Sequence, residues 1–266
     1  MPETTIQSAV TDADAVQVHR DGRAATVTIN RPPLNILDIP TIEQLGEAVT
    51  GLAADPGLQI VVLRGGGDRC FSAGVAVQDH TPDRVGAMLA SFHGAIRRLL
   101  ALDAVTVAAV HGHCLGGGME LALSCDVVIA TEDARFGQPE VDLGCYPPLA
   151  AALYPSRFGY GLTIDLLVTG RTLICEEAER LGLVARRVPT FGLDQEVARF
   201  VADVTAKSAA VTRLIKKAVR AGRDRGFSAG LAETERLYTD ELCSTADMQE
   251  GLAAFLDKRR PVWNHH

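Results

Sequence analysis

One stretch of thirteen residues, His111-Gly112-His113-Cys114-Leu115-Gly116-Gly117-Gly118-Met119-Glu120-Leu121-Ala122-Leu123, constrains this chain more than any other. It follows Val105-Thr106-Val107-Ala108-Ala109-Val110, an apolar, β-branched run that predicts a buried strand. It leads into Met119–Cys125, which predicts a helix. Three consecutive glycines, Gly116–Gly118, therefore sit where a strand turns into a helix. Glycine there lets the backbone approach a ligand closely and take angles other residues resist. The first amides of the helix lack intrahelical partners and point outward at the positive end of its dipole. Such amides suit an anion, or a carbonyl oxygen becoming one. Glu120 lies just inside the same helix, within reach of what the amides hold.

The surrounding chain alternates strand and helix. Val16–Arg20 and Ala25–Ile29, joined through Asp21-Gly22, predict a hairpin. Asn30–Asn35 reads as a stiff loop, and Thr41–Ala53 as a helix with Ile42, Leu45, Val49 and Leu52 on one face. Ile60–Arg64 reads as a buried strand running into a second glycine-rich passage, from Gly65 through Ala73 and Gly74 to Val75. Pro82–Leu102 predicts a helix and Asp126–Ala130 a strand. This order implies an α/β fold with parallel pairing and crossover connections. In such sheets ligands bind beyond the carboxyl ends of the strands, so both glycine-rich turns are expected to face one pocket. Phe136–Gly144 is a punctuated loop carrying a second carboxylate, Glu140, twenty positions after Glu120. Pro147-Pro148 opens a helix reaching Phe158, and almost everything beyond Leu193 is helical. The expected organisation is a tail over 1–15, an α/β core over 16–192 and a helical region over 193–266.

Composition removes several function classes. With 26 Lys and Arg against 33 Asp and Glu, the net charge of −7 offers no basic footprint for nucleic acid. The longest uncharged stretch, Ala104–Met119, is too short and glycine-rich to span a membrane, and the acidic N-terminus is unlike a signal peptide. The six cysteines form no C-x-x-C pair, which points to free thiols in a reducing cytoplasm. His111 and His113 have no further ligand cluster, so no metal is expected. No dinucleotide G-x-G-x-x-G, phosphate-binding loop or serine-hydrolase elbow is present. What remains is the pair of glutamates. Glu120 sits between Met119 and Leu121 in a stretch with little other charge, and an apolar setting raises a carboxyl pKa toward the range useful for proton transfer. Glu140 lies in a loop, where functional side chains collect. Spacing alone leaves open whether the two meet.

The segments Phe71-Ser72-Ala73-Gly74-Val75, His111 through Ala122, and Phe136-Gly137-Gln138-Pro139-Glu140 resemble the enoyl-CoA hydratase/isomerase (crotonase) superfamily. Asn30-Arg31-Pro32 and Lys258-Arg259-Arg260-Pro261-Val262-Trp263 fit as well, so the resemblance covers about residues 16–263. It implies a spiral β-β-α core with a C-terminal helical part, assembled as a homotrimer or homohexamer and acting on acyl-CoA thioesters. It implies an oxyanion hole from the N–H groups of Val75 and Gly117, with Ala73, Gly74, Gly116, Pro147 and Pro148 around the substrate. Glu120 and Glu140 match the two glutamates with which the hydratases hold a water, and no cofactor is implied beyond the CoA of the substrate. Isomerases of the family often keep only the Glu140-type residue, so both together favour a hydratase. A double-bond isomerase and a non-catalytic acyl-CoA binder are the rival readings.

Two features depart from the common hydratase pattern. Ala76 stands where an aspartate is frequent, and Cys145–Ala152 replaces a glycine-rich turn. Leu34–Asp38, Ala73–Val75, Asp79–Pro82 and Pro147–Ala152 look similar to cyclohexa-1,5-dienecarbonyl-CoA hydratases. Arg31, Arg69 and Lys258 are candidates for the CoA phosphates by position.

Overall fold

A computed structural model describes residues 15–265, so the expected tail lies, apart from Ala15, outside the described residues. Val16–Asp21 (β1) and Ala24–Ile29 (β2) form the expected antiparallel hairpin, with Gly22 at φ +55° in the turn. Ile39–Ala53 (α1) begins where Asp38 accepts the Thr41 N–H at 3.0 Å, satisfying one orphan amide of the first turn. There follow Ile60–Gly65 (β3), Cys70–Ser72 (β4), Val85–Ala101 (α2), Val105–Val110 (β5), His113–Leu115 (β6) and Gly117–Ser124 (α3). Val127–Thr131 (β7), Arg135–Gly137 (β8), Pro148–Phe158 (α4), Tyr160–Thr169 (α5), Thr172–Ile174 (β9), Cys175–Arg180 (α6) and Arg186–Val188 (β10) complete the mixed part. The helices Leu193–Thr205 (α7), Ala209–Arg225 (α8), Phe227–Arg236 (α9) and Ala246–Leu256 (α10) come last.

Two sheets divide the strands. The larger has the order β1-β2-β3-β5-β7-β10, parallel from β2 onward. The smaller, β4-β6-β8-β9, is built from three-residue strands. In the larger sheet, successive side chains point to opposite faces. Val61, Leu63, Ala108 and Val110 meet Ile42, Leu45, Phe92 and Ile96 of α1 and α2 in the main core. Ile60, Val62, Val107 and Ala109 pack instead against Leu193, Val197, Phe200 and Val201 of α7. Both faces being covered explains why these strands read as unbroken apolar runs. Among the described residues no helix is long and apolar enough to cross a membrane.

The far ends of the strands are tied to α8 by one buried cation. Lys216 Nζ donates to the Ala104 carbonyl at 2.6 Å and pairs with Asp126 at 2.6 Å. Asp126 in turn accepts from the N–H and hydroxyl of Thr106 at 2.8 and 2.9 Å. Lys216→Ala leaves that carboxylate unpaired, though Asp126 is exposed enough to rehydrate. The expected loss is about 2 kcal/mol, below the usual cost of breaking a fully buried pair, read as a lower urea midpoint.

Candidate active site

The glycine-rich turn does not follow β5 directly, as the sequence suggested. After Val110 the chain bends at Gly112, φ +55°, where an added Cβ would lie 2.0 Å from the Arg69 carbonyl oxygen. It then lays β6 beside β4, pairing Cys70 with His113 and Ser72 with Cys114 in parallel. The two turns therefore leave the carboxyl ends of paired strands in the smaller sheet: Ala73-Gly74-Val75 after β4, Gly116-Gly117 after β6.

These turns touch at backbone distance. A Cβ on Gly74, φ +102°, would stand 2.9 Å from the Leu115 carbonyl oxygen and 3.2 Å from the Gly117 nitrogen. One on Gly117 would stand 2.7 Å from Val75 Cγ2 and 3.3 Å from the Val75 nitrogen. Val75 is clasped from behind: the Leu37 N–H donates to the Gly74 carbonyl at 2.9 Å and the Ala76 N–H to the Leu37 carbonyl at 3.0 Å. Ser72 Oγ accepts the Gly74 N–H at 3.1 Å. The amides of Gly74, Ala76 and Gly116 are thus satisfied, while among the described residues the N–H groups of Val75 and Gly117 donate to no protein acceptor. Partnerless amides beside a cavity can take a ligand oxygen.

The carboxyls enter from two other elements. Glu120, in the first turn of α3, is 4% exposed, and its Oε1 accepts the Ala150 N–H at 2.7 Å from the first turn of α4. Burial pushes its pKa up to about 8; the Ala150 N–H opposes the shift and the nearby Glu140 charge adds to it. Glu140 stands in a tight turn, Pro139–Leu143, and burial pushes its pKa up to about 7. A Cβ on Gly116, φ +52°, would meet Glu140 Oε1 at 2.9 Å, so glycine there makes room for the carboxyl. Gln138 and Tyr154, both fully buried, stand behind Glu140. With its nitrogen toward Glu140, the Gln138 amide donates to both carboxyl oxygens at 3.0 Å while its oxygen accepts the Tyr154 hydroxyl at 2.5 Å.

One cavity of about 490 Å³ gathers Ala73, Gly74, Val75, Gly116, Gly117, Glu120, Glu140, Pro147 and Pro148, which are all nine site residues expected from the sequence. Its apolar wall includes Val85, Met88, Leu89 and Phe92 from α2, and His80 and His93 border it. Burial, with a smaller contribution from Arg97, holds the His93 pKa below its ordinary value.

The proposed phosphate cations are not brought to this wall. Arg31 is engaged by Asp38 and by Thr41 Oγ1, and neither it, Arg69 nor Lys258 lines the cavity. Sequence reasoning missed Gln138, Tyr154 and the Ala150 amide. Gln138 carried a signal, lying two residues before Glu140 in the same loop; Tyr154 carried none, being one more apolar-face residue of a helix.

An enoyl-CoA hydratase/isomerase family model matches residues 20–266. A probable enoyl-CoA hydratase of Mycobacterium bovis is 36% identical over 255 residues, covering 95% of this chain and 98% of that one. The cyclohexa-1,5-dienecarbonyl-CoA hydratase of Thauera aromatica is 35% identical over 253 residues, covering 94% of this chain and 96% of that one. A crystal structure of an enoyl-CoA hydratase from Bacillus anthracis matches with a TM-score of 0.89 at 27% identity, over 95% of this chain and 100% of that one. On the family match and these end-to-end relatives, the chain belongs to the enoyl-CoA hydratase/isomerase family and has its crotonase fold.

Proposed function

We propose that the chain is a lyase adding water across the 2,3 double bond of an enoyl-CoA thioester. The observation that carries this reading is the convergence of two buried carboxyls, from α3 and from the Pro139–Leu143 turn, on the cavity that two partnerless amides also border. The thioester oxygen sits between the N–H groups of Val75 and Gly117. One carboxylate takes a proton from water as the water oxygen bonds to the β-carbon. The double-bond electrons move into the thioester, forming an enolate whose oxygen the amides hold. The carboxylic acid then gives its proton to the α-carbon. Oxygen, two protons and the electron pair are all accounted for, and the route needs no metal or redox cofactor. Ala73, Gly74, Gly116, Pro147 and Pro148 line the path of the acyl group.

Double-bond migration needs only one shuttling base, so the second buried glutamate favours hydration. A cyclic dienoyl acyl group is the more specific proposal, supported by the similarity in Pro147–Ala152 and by the Thauera relative. The test is a panel of straight-chain and alicyclic enoyl-CoA thioesters in ¹⁸O-water, followed by loss of ultraviolet absorbance of the conjugated alkene. Product carrying ¹⁸O is expected; a shifted alkene without ¹⁸O would establish the isomerase instead, and binding without turnover the non-catalytic reading.

Assembly as a homotrimer or homohexamer belongs to the same proposal. It is supported by large apolar side chains left exposed in the C-terminal helices, among them Val219, Phe227, Phe255 and Leu256. Sedimentation is expected to give three or six chains, and a monomer at micromolar concentration would refute it. The six cysteines, all free, suit the reducing cytoplasm proposed as its compartment.

A further inference from the structure

We propose that Tyr154 is a positioning residue for Glu140: its hydroxyl fixes the orientation of the Gln138 amide, so that an N–H and not a carbonyl faces the Glu140 carboxyl. The proposal rests on the role given to Glu140 above and adds a control on that group's protonation.

The argument starts from which atoms can donate. Gln138 has one end against Glu140, 3.0 Å from each carboxyl oxygen, and the other 2.5 Å from the Tyr154 oxygen. An amide presents a donor at one end and an acceptor at the other, so turning it over exchanges their places. Among the described residues the Tyr154 hydroxyl has no hydrogen-bond partner besides Gln138. Burial raises the Tyr154 pKa well above its ordinary value, and the Glu120 charge adds to this, so the O–H keeps its proton at working pH. A buried hydroxyl proton without an acceptor is costly. It has one only when the Gln138 oxygen faces Tyr154, which turns the Gln138 nitrogen toward Glu140. In that orientation all three groups are satisfied. In the other, the amide oxygen confronts an ionised carboxylate, and the tyrosine oxygen accepts from the amide nitrogen while its own proton is left without an acceptor.

The consequence falls on the proton of Glu140. A donor aimed at both oxygens favours the carboxylate over the acid, against the burial that favours the acid. Without the hydroxyl the amide is free to turn. Its oxygen then accepts from a protonated Glu140, and the acid form persists to higher pH. Both residues are fully buried, and α4 carries the Ala150 N–H to Glu120 as well as the tyrosine, so one helix sets hydrogen bonds on both catalytic carboxyls.

The experiment follows the Glu140 carboxyl by ¹³C NMR through a pH titration, the resonance being assigned by its disappearance in Glu140→Gln. Tyr154→Phe is expected to raise its pKa by about one unit, the scale of one hydrogen bond to a charged group. In kinetics kcat is expected to fall about tenfold while KM stays within twofold, with the corresponding limb of the pH profile displaced upward. Gln138→Met, which removes the donor but keeps the length, is expected to give the same upward shift. In that background Tyr154→Phe is expected to add nothing. An unchanged Glu140 pKa in Tyr154→Phe overturns the proposal, as does an equal effect of Tyr154→Phe with and without Gln138. If Tyr154→Phe fails to fold, the Gln138→Met titration decides, and no shift there overturns it. If the wild type hydrates no thioester, the functional reading fails while the titration still decides the positioning role.

Discussion

Glu120→Gln and Glu140→Gln are each expected to lower hydration about a thousandfold and to leave the fold intact, the scale set by losing a positioned acid or base. Glutamine keeps the size of glutamate and an oxygen that can accept, so the Ala150 N–H remains satisfied in Glu120→Gln. What it loses is the ability to take or give a proton. The two carboxyls act on one water, so their effects are not expected to multiply. The double variant should be little slower than the worse of the singles. The pH profile of kcat/KM carries the same information. With Glu140 at about 7 and Glu120 at about 8, the pair holds one proton between these values, and a bell-shaped rate with its top there is expected. In each single glutamine variant one limb disappears. Full hydratase turnover in either variant would remove the paired-carboxyl mechanism.

The raised pKa values also have a cost in stability, with a definite sign. The pKa of Glu120 rises from 4.5 to about 8 on folding. The folded state therefore binds this proton more tightly than the unfolded chain. The resulting stabilisation is fully present below pH 4.5 and is lost as the pH climbs through about 8. Glutamine does not titrate. Between pH 5 and pH 9 the urea midpoint of the wild type is expected to fall further than that of Glu120→Gln. On the role proposed for Glu120, proton transfer and not stability sets this residue.

The parts of the molecule legible in the sequence are those with enough residues to show a period. Helix α1 announces itself through Ile42, Leu45, Val49 and Leu52, and β3, β5 and β7 through branched apolar runs buried on two sides. The smaller sheet has no such signal. Strands of three residues, such as Cys70–Ser72 and His113–Leu115, are shorter than the pattern that would reveal them. Their pairing is nevertheless what sets the two glycine-rich turns side by side. Asn35 helps hold that arrangement, its Nδ2 donating to the carbonyls of Gly66 and Cys70 at 2.9 and 2.8 Å. The sequence showed a stiff loop and a family similarity there, but not these hydrogen bonds. The glycine-rich motifs and the two glutamates singled out from the sequence do line one cavity. The contacts of Tyr154 and the Ala150 amide depend on how α4 docks, which no local pattern encodes. The cation candidates rested on position along the chain, which carries no information on pairing, such as that of Arg31 with Asp38.

Gly117→Ala is expected to fold and yet to lose two to three orders of magnitude in kcat, about the scale of one lost oxyanion donor. The added methyl would lie 3.3 Å from the Val75 nitrogen, in the space where the proposed thioester oxygen is held between the two amides. Its other close neighbours are side chains, Val75 Cγ2 at 2.7 Å and Phe92 Cζ at 3.4 Å, so a valine rotamer change relieves the tightest contact. Gly117 begins a helix without a positive φ, so alanine costs no backbone strain there. Gly118→Ala makes the contrast. Its methyl would stand 2.5 Å from the Ser72 carbonyl oxygen, a backbone atom of β4 that cannot turn aside. That variant is expected to lose stability by more than 2 kcal/mol, the range of overpacking against rigid structure, with turnover falling only in step with the folded fraction. Thermal unfolding and kcat measured on both variants separate the two effects. If Gly117→Ala hydrates as fast as the wild type, the space between these amides does not hold the reacting oxygen. The oxyanion stabilisation would then have to come from other donors in the cavity.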